Sequence, residues 1–541
     1  MDWKIQLWMW NYNYGPLVYL SLLFYMLWNI SLNLLAFLVL PLIVFQVYQI
    51  MPRRQASGAN KYNAIVVGSG IAGLCSAVKL QEIGVHFTVL EKGKHLGGTW
   101  WWNTYPGAAC DVRSHLYCIS FFPNPWWSRA YAKGPEIHQY LKDFATYFNL
   151  HPHIKYNQKV SRCKWNPELF KWDVTTDDGS VYTANFVISA CGQLHAPKMP
   201  TYKGLESFNG PKFHNTQWDH SVDLTGKRVG VLGTGASGVQ VVPQLAKQVD
   251  QLYVFQRTAT WVVPKFDPET SYWKLAIFSL LPITMTLYRW VLFWQSEMRF
   301  PLMLKPDSPK AKMIGQNIAG HHAHVLKDPE MIRKLTPTYN VGCKRITPSS
   351  FYLESFAKPN VYVETGKIAE VTCDGITTEN GHTQLDAIIF ATGFDRLRSM
   401  NAFEVIGQDP KINLCQAWGE APQAYMGLFM SGYPNYFTIS GPNTSTAHNS
   451  VIFSLECQTT HAVNYIAQMV QSELKSLDIK PEVTADHMGK IRARTPLHVF
   501  STCVNEAYQN AQGVLWPMWP YSMVYLWWRS MECDLSLFDV K

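Results

Sequence analysis

Asn63-Ala-Ile-Val-Val-Gly-Ser-Gly-Ile-Ala-Gly73, carried on through Leu80 to Phe87-Thr-Val-Leu-Glu91, decides the fold of this 541-residue chain. Asn63 to Val67 reads as a buried strand. Gly68, Gly70 and Gly73 then turn the chain into a helix-like run that Gly84 stops. A second strand, Phe87 to Leu90, ends on Glu91, 23 residues past the first glycine. A bare GxGxxG is a weak signal. Framed by a strand, a helix and a distal acid, it predicts a βαβ unit whose helix N-terminus receives a pyrophosphate, with Glu91 accepting from a ribose hydroxyl.

Farther along, the pattern repeats. Lys227-Arg-Val-Gly-Val-Leu232 reads as a strand, and Gly233-Thr-Gly235-Ala-Ser-Gly238 opens the next helix. The following strand, Leu252 to Phe255, ends in Gln256-Arg257-Thr258 where the first copy has an acid. An acid repels the 2′-phosphate of NADP, whereas a guanidinium pairs with it. One charge-assisted hydrogen bond is worth roughly 1.5–3 kcal/mol, so Arg257 favours NADPH over NADH by about tenfold or more. The first unit is therefore expected to hold FAD and the second NADPH, in an α/β fold with two Rossmann-like domains.

The N-terminal end is of another kind. No charged side chain stands between Lys4 and Arg53, and Leu17 to Ile50 is almost continuously apolar. A span needs about 20 apolar residues, and a secretory h-region runs to about 7–15. The stretch predicts a single-pass transmembrane helix within residues 16–50, with a re-entrant hairpin at Pro41 as the alternative. Arg53 and Arg54 directly after it favour a cytosolic body. Trp8, Trp10, Tyr12 and Tyr14 suit an interfacial belt.

Composition narrows the class. With 47% hydrophobic and 16% charged residues, a large core is expected and wholesale disorder is not. The net charge of +8 suits anionic cofactors or an anionic bilayer. The basic residues are dispersed rather than striped, which argues against nucleic acid. Eleven scattered cysteines without a CxxC pair predict neither a disulfide framework nor zinc, and a reducing compartment. No His/Cys/Asp cluster has metal-ligand spacing.

Between the two units lies Phe208-Asn-Gly210-Pro-Lys-Phe-His214-Asn-Thr-Gln-Trp218-Asp219. It resembles the FxGxxxHxxxWD fingerprint of Baeyer–Villiger monooxygenases, a branch of the flavin-containing monooxygenases. Gly97-Gly98-Thr99-Trp100, Tyr105-Pro-Gly107 and Asp111 resemble a second signature of that family. Ser189-Ala-Cys-Gly192, Ala391-Thr-Gly-Phe-Asp395 and Gly441-Pro-Asn-Thr444 are similar to its domain crossings and flavin loop. The resemblance implies FAD contacts at Thr99, Trp100, Asp111, Tyr117 and Val160. It implies NADP contacts at Thr234, Gly235, Ser237, Gly238, Gln240, Arg257, Thr258 and Lys344. With the anchor read from the apolar N-terminus, the expected domain plan is anchor and linker 1–56, FAD domain 57–200 and 386–541, NADPH domain 201–265 and 336–385, helical insertion 266–335.

The implied chemistry is reduction of FAD by NADPH, addition of O2 at flavin C4a, and attack of the resulting peroxide on a lipophilic ketone to give an ester or lactone. Such an anion needs a fixed cation beside the flavin. Gly342-Cys343-Lys344-Arg345 matches the family segment that supplies one. Arg345 is the expected catalytic cation, Asp111 its orienting partner, and Lys344 a 2′-phosphate ligand. Glu506-Ala507-Tyr508 departs from the Ser-Trp-Tyr of many relatives, which puts NADP packing and pocket shape in doubt. N- or S-oxygenation is the alternative activity, and a catalytically silent membrane flavoprotein is a further one. Two apolar segments, Leu275 to Leu287 and Leu515 to Tyr521 with Val524 to Trp528, are expected to be either buried or dipped into a membrane.

Overall fold

The computed structural model describes residues 55–504 and 508–541. The expected transmembrane helix lies outside the described residues. β1 (Asn63–Val67) leads into α1 (Ile71–Ile83) and returns as β2 (His86–Leu90), parallel to β1 with Val67 opposite Leu90. Ala64 to Val67 are all buried, as a central strand covered on both faces requires. β3 (Ile154–Lys155) adds beside β2, and β4 (Phe186–Ser189) beside β1.

From β4 the chain crosses to a second sheet. β5 (Lys212–His214) is its edge, β6 (Arg228–Leu232) its centre, and α2 (Ala236–Leu245) carries the chain to β7 (Gln251–Phe255). A helical excursion follows, with α3 (Tyr272–Leu280) and α4 (Pro282–Glu297). β8 (Val361–Glu364) and β9 (Ala387–Phe390) complete the second parallel sheet, in the order β8-β7-β6-β9-β5. The chain then crosses back through α5 (Arg396–Met400) to β10 (Tyr436–Thr438) on the outer side of β4, giving a first sheet ordered β10-β4-β1-β2-β3. α6 (Val451–Gln471) packs its buried face with α1 in the largest core.

The two crossings run antiparallel and are stitched together. Lys198 N–H donates to Gly393 carbonyl at 2.9 Å, Asp395 N–H to Ala196 carbonyl at 3.0 Å, and Thr392 Oγ1 to Lys198 carbonyl at 2.6 Å.

The apolar segments separate into two outcomes. Leu275 to Leu287 is broken at Leu281–Pro282, where the helix pair bends by 112°, and no single helix among the described residues is long and apolar enough to span a bilayer. α4 is bound to the first sheet's domain by buried charges. Arg289 donates to the Leu116 carbonyl at 3.3 Å and approaches Glu456 at 3.4 Å, while Glu297 accepts from Asn449 Nδ2 and Met523 N–H. α3 instead leaves Tyr272 89%, Trp273 81% and Leu280 74% exposed. In the tail, Leu515, Trp516, Met518 and Trp519 are buried. Asn443 N–H donates to the Trp516 carbonyl at 2.7 Å, which ties the tail to the Gly441–Thr444 loop.

One cysteine expectation is corrected. Cys343 and Cys503 form a disulfide across 160 residues, with Cα atoms 6.1 Å apart. Local spacing carries no trace of a pair brought together only by the return of the C-terminal segment.

Candidate active site

Two glycine turns build the site. Gly68 and Gly233 have φ of +102° and +109°, a conformation that side chains other than glycine's resist. A Cβ on Gly73 would lie 1.9 Å from the Gly68 carbonyl oxygen, and one on Gly238 would lie 2.3 Å from that of Gly233. Each turn therefore presses its helix onto its own strand end, leaving unpaired N–H groups at the helix start facing outward.

Above the first turn opens a cleft of ≈ 690 Å³. Gly68, Gly70, Glu91, Thr99, Trp100, Tyr117 and Val160 all line it, so most of the sequence-predicted FAD residues converge, whereas Gly73 and Asp111 are outside its lining. Glu91 does more than reach for a ribose. Its Oε2 accepts from Ser69 N–H at 2.8 Å and Ser69 Oγ at 2.7 Å, and its Oε1 from Gly93 N–H at 2.8 Å, which shapes the turn itself. Trp100 Nε1 donates to Tyr117 Oη at 3.2 Å, and burial pushes the Tyr117 phenol far up, so it stays protonated.

Of the predicted NADP residues, Thr234, Gly235, Ser237, Gly238, Gln240, Arg257 and Thr258 stand on the second turn, its helix and the following strand end; none of them, nor Lys344, lines this cleft. Thr234 Oγ1 donates to the Thr258 carbonyl at 3.1 Å, and Arg257 is exposed at the strand end. Gln256 turns inward and donates to the Lys334 carbonyl at 2.7 Å. Gln240 faces the first domain, accepting from Tyr105 Oη at 2.8 Å and donating to the Ala109 carbonyl at 2.8 Å. Lys344 Nζ sits 5.1 Å from the Tyr339 ring centre.

Asp111 and Arg345, 234 residues apart, meet as a bidentate pair: Nε to Oδ2 at 2.8 Å and Nη2 to Oδ1 at 2.7 Å. Burial alone would raise the Asp111 carboxyl. The Arg345 charge and its hydrogen bonds, with Lys265 assisting, outweigh that and hold it below the ordinary range. Asp111 in turn drives the Arg345 pKa up, so this cation keeps its proton. The Arg345 side chain is 42% exposed against 18% for Asp111, and it stands beside the cleft rather than in its wall. Its charge is felt by Tyr117 and Arg396, both of which do line it.

The fingerprint lies elsewhere. His214 is buried at the end of β5, opposite Phe390 of β9, with its ring 6.2 Å from that of Phe394 in the return crossing. Phe208 is buried, a Cβ on Gly210 would meet the Asp386 carbonyl oxygen at 2.4 Å, and Trp218 packs edge-on to Phe213. Asp219 is exposed and accepts from Ser221 N–H at 2.9 Å. None of these five lines the cleft, and of them His214 packs against the return crossing.

Three residues missed by sequence reasoning do line it. Gln193 Oε1 accepts from Arg396 Nη1 at 2.9 Å and from Ser445 Oγ at 3.0 Å, while its Nε2 donates to the Ser440 carbonyl at 2.8 Å. Each stands one position past a motif that sequence reading quotes, ending at Gly192, Asp395 and Thr444.

Comparison with known proteins bears on this geometry. The flavin-binding monooxygenase-like family matches residues 61–294. The chain is 37% identical over 480 residues to a Baeyer–Villiger monooxygenase of Streptomyces coelicolor, covering 88% of this chain and 92% of that one. The chain belongs to the Baeyer–Villiger monooxygenase family. Its structure is similar to that of an oxidized steroid monooxygenase bound to NADP, with a TM-score of 0.80 at 28% identity, covering 88% of this chain and 99% of the other. It is equally similar to OTEMO in complex with FAD and NADP, with a TM-score of 0.80 at 27% identity, covering 89% and 99%. For a Baeyer–Villiger monooxygenase, the donors here fit two dinucleotides: a glycine cradle with an acid at its strand end, and a second with an exposed arginine at the same place.

Proposed function

We infer that the chain is an FAD-dependent, NADPH-using monooxygenase that inserts one oxygen atom of O2 into a lipophilic ketone, giving an ester or lactone. The Asp111–Arg345 pair beside a cleft shaped for a flavin dinucleotide carries this reading. FAD, when bound and reduced, supplies the activation of O2. The first glycine turn and Glu91 would hold its pyrophosphate and ribose, with Thr99, Trp100, Tyr117 and Val160 along its length. The second turn would hold NADPH, with Arg257 and Lys344 on the 2′-phosphate. Arg345 keeps a permanent positive charge where the substrate carbonyl oxygen gains negative charge, and Asp111 fixes the guanidinium plane. The buried tail at Leu515 to Trp519 closes the flavin loop against water. Family membership favours ketones over amines or thioethers. Mass spectrometry of products from a ketone panel with NADPH and 18O2 tests it: one labelled atom is expected in the ester and one in water. Sulfoxide from a thioether with every ketone untouched would overturn the reading.

For location, we propose a single-pass anchor within residues 16–50 with the body on the cytosolic side. The uncharged run from Lys4 to Arg53 supports it, and so does the exposed apolar face of α3 at Tyr272, Trp273 and Leu280, suited to resting on lipid. The full chain is expected to sediment with membranes, and deletion of residues 1–55 to release it. A full chain recovered in the soluble fraction without detergent would refute the anchor.

A further inference from the structure

One cation in the cleft has no acidic partner among the described residues. Arg396 opens α5 directly after Asp395, whose carboxylate is used to cap the helix by accepting from Arg398 N–H at 2.9 Å. Arg396 Nη1 donates to Gln193 Oε1 at 2.9 Å and to Ser445 Oγ at 3.4 Å, and its Cζ lies 5.1 Å from the Tyr508 ring centre. All three partners are neutral. Among the described residues no carboxylate pairs with it, and its Nε and Nη2 donate to no protein atom. Asp111 is already committed on both oxygens to Arg345.

The guanidinium is also desolvated. Burial lowers its pKa from the ordinary arginine value; Tyr508 opposes that shift and the nearby Arg345 charge adds to it. A half-buried cation near a like charge, lining a cavity with two of its donors unspent, is arranged for an anion that the described residues do not provide. The planar fork of an arginine matches a carboxylate or a phosphate. Phosphates already have their seats here at the two glycine turns and at Arg257 with Lys344. The same cleft also carries an apolar wall at Val451 and Leu455, one turn apart on α6, to which no cofactor contact is assigned.

We propose that Arg396 is a specificity residue for a lipophilic ketone that also carries a carboxylate, the anion seated on Arg396 and the apolar body along that wall. This rests on the ketone-oxygenating reading above. The same oxyanion chemistry would fit a dinucleotide phosphate, so the test separates the two.

Purified FAD-loaded enzyme and its Arg396→Gln and Arg396→Lys variants would be assayed with a long-chain keto acid and its methyl ester. In Arg396→Gln, the ratio of kcat/KM for acid over ester is expected to fall about tenfold or more, with partial recovery in Arg396→Lys. Titrating the oxidised enzyme with the keto acid, followed by the flavin absorption band, should show the same weakening in Kd. An unchanged acid-to-ester ratio would overturn the proposal. So would a weaker NADP+ Kd with that ratio intact, or loss of FAD from the variant, since either assigns the guanidinium to a cofactor. If the unaltered enzyme oxidises no ketone, the functional reading fails, and the titration alone decides the role of Arg396.

Discussion

The two glycine turns share a backbone plan and differ in what completes it. In both, the leading glycine abuts a crossing segment: a Cβ on Gly68 would lie 2.9 Å from the Ala190 carbonyl oxygen, and one on Gly233 2.5 Å from that of Ala391. In the first, Glu91 folds back and locks the turn through Ser69 and Gly93. In the second, Gln256 is withdrawn to the Lys334 carbonyl and Arg257 is left exposed. The same loop thus becomes a closed acidic corner or an open basic one through two residues at a strand end. The two corners differ in charge where the glycines do not.

The largest expected effect breaks one turn and spares the other. Gly73→Ala places a methyl 1.9 Å from a backbone oxygen, which neither turn nor helix can yield cheaply. The purified variant should be colourless, lacking FAD. Gly238→Ala should remain yellow yet fail to be reduced by NADPH, and the visible spectrum before and after anaerobic NADPH reads both outcomes. Equal FAD loss in the two variants would show that the turns are not independent.

Next comes the cation at the junction between them. Arg345→Ala should lower ester formation by about 10²–10³-fold, the scale of a lost oxyanion donor. NADPH oxidation should fall less, so the ratio of ester formed to NADPH consumed drops. A variant with an unchanged ratio would remove Arg345 from the chemistry.

A smaller change sharpens the contrast in corners. Arg257→Ala should reduce the preference for NADPH over NADH by about tenfold without altering FAD content. Steady-state kcat/KM for the two reductants measures it.

The smallest effect is on stability and is spread over both domains. Burial lowers His214 to about 4 and His115 and His498 to about 3. The unfolded chain, with ordinary imidazoles, takes up protons first as pH falls below about 6.5, so stability is lost between there and the depressed folded values. A cost of about 2 kcal/mol for each imidazole by pH 5 is expected, seen as a falling Tm of the FAD-loaded protein between pH 7 and 5. A flat Tm over that range would contradict the burial.

Much of this was legible because it depends on local backbone chemistry. Gly68 and Gly233 mark strand ends that must take positive φ, and the residues after each second strand show their charge directly. The Asp111–Arg345 partnership followed from resemblance, not from spacing, since 234 residues separate them. Other features depend on distant closure. The Cys343–Cys503 bridge, the burial of Trp516 against the Asn443 loop, and the meeting of Gln193, Arg396 and Ser445 arise only when both crossings and the C-terminal segment return to the first sheet. The fingerprint taught the opposite lesson: His214 is a reliable mark of family, yet it stands behind the crossing and not in the cleft.

Gln193 has a mechanical consequence. One amide oxygen on the outward strap is held by a guanidinium on the return strap and by a hydroxyl from the flavin loop. Both crossings and the loop thus share a single acceptor, so removing that one oxygen would loosen three segments at once.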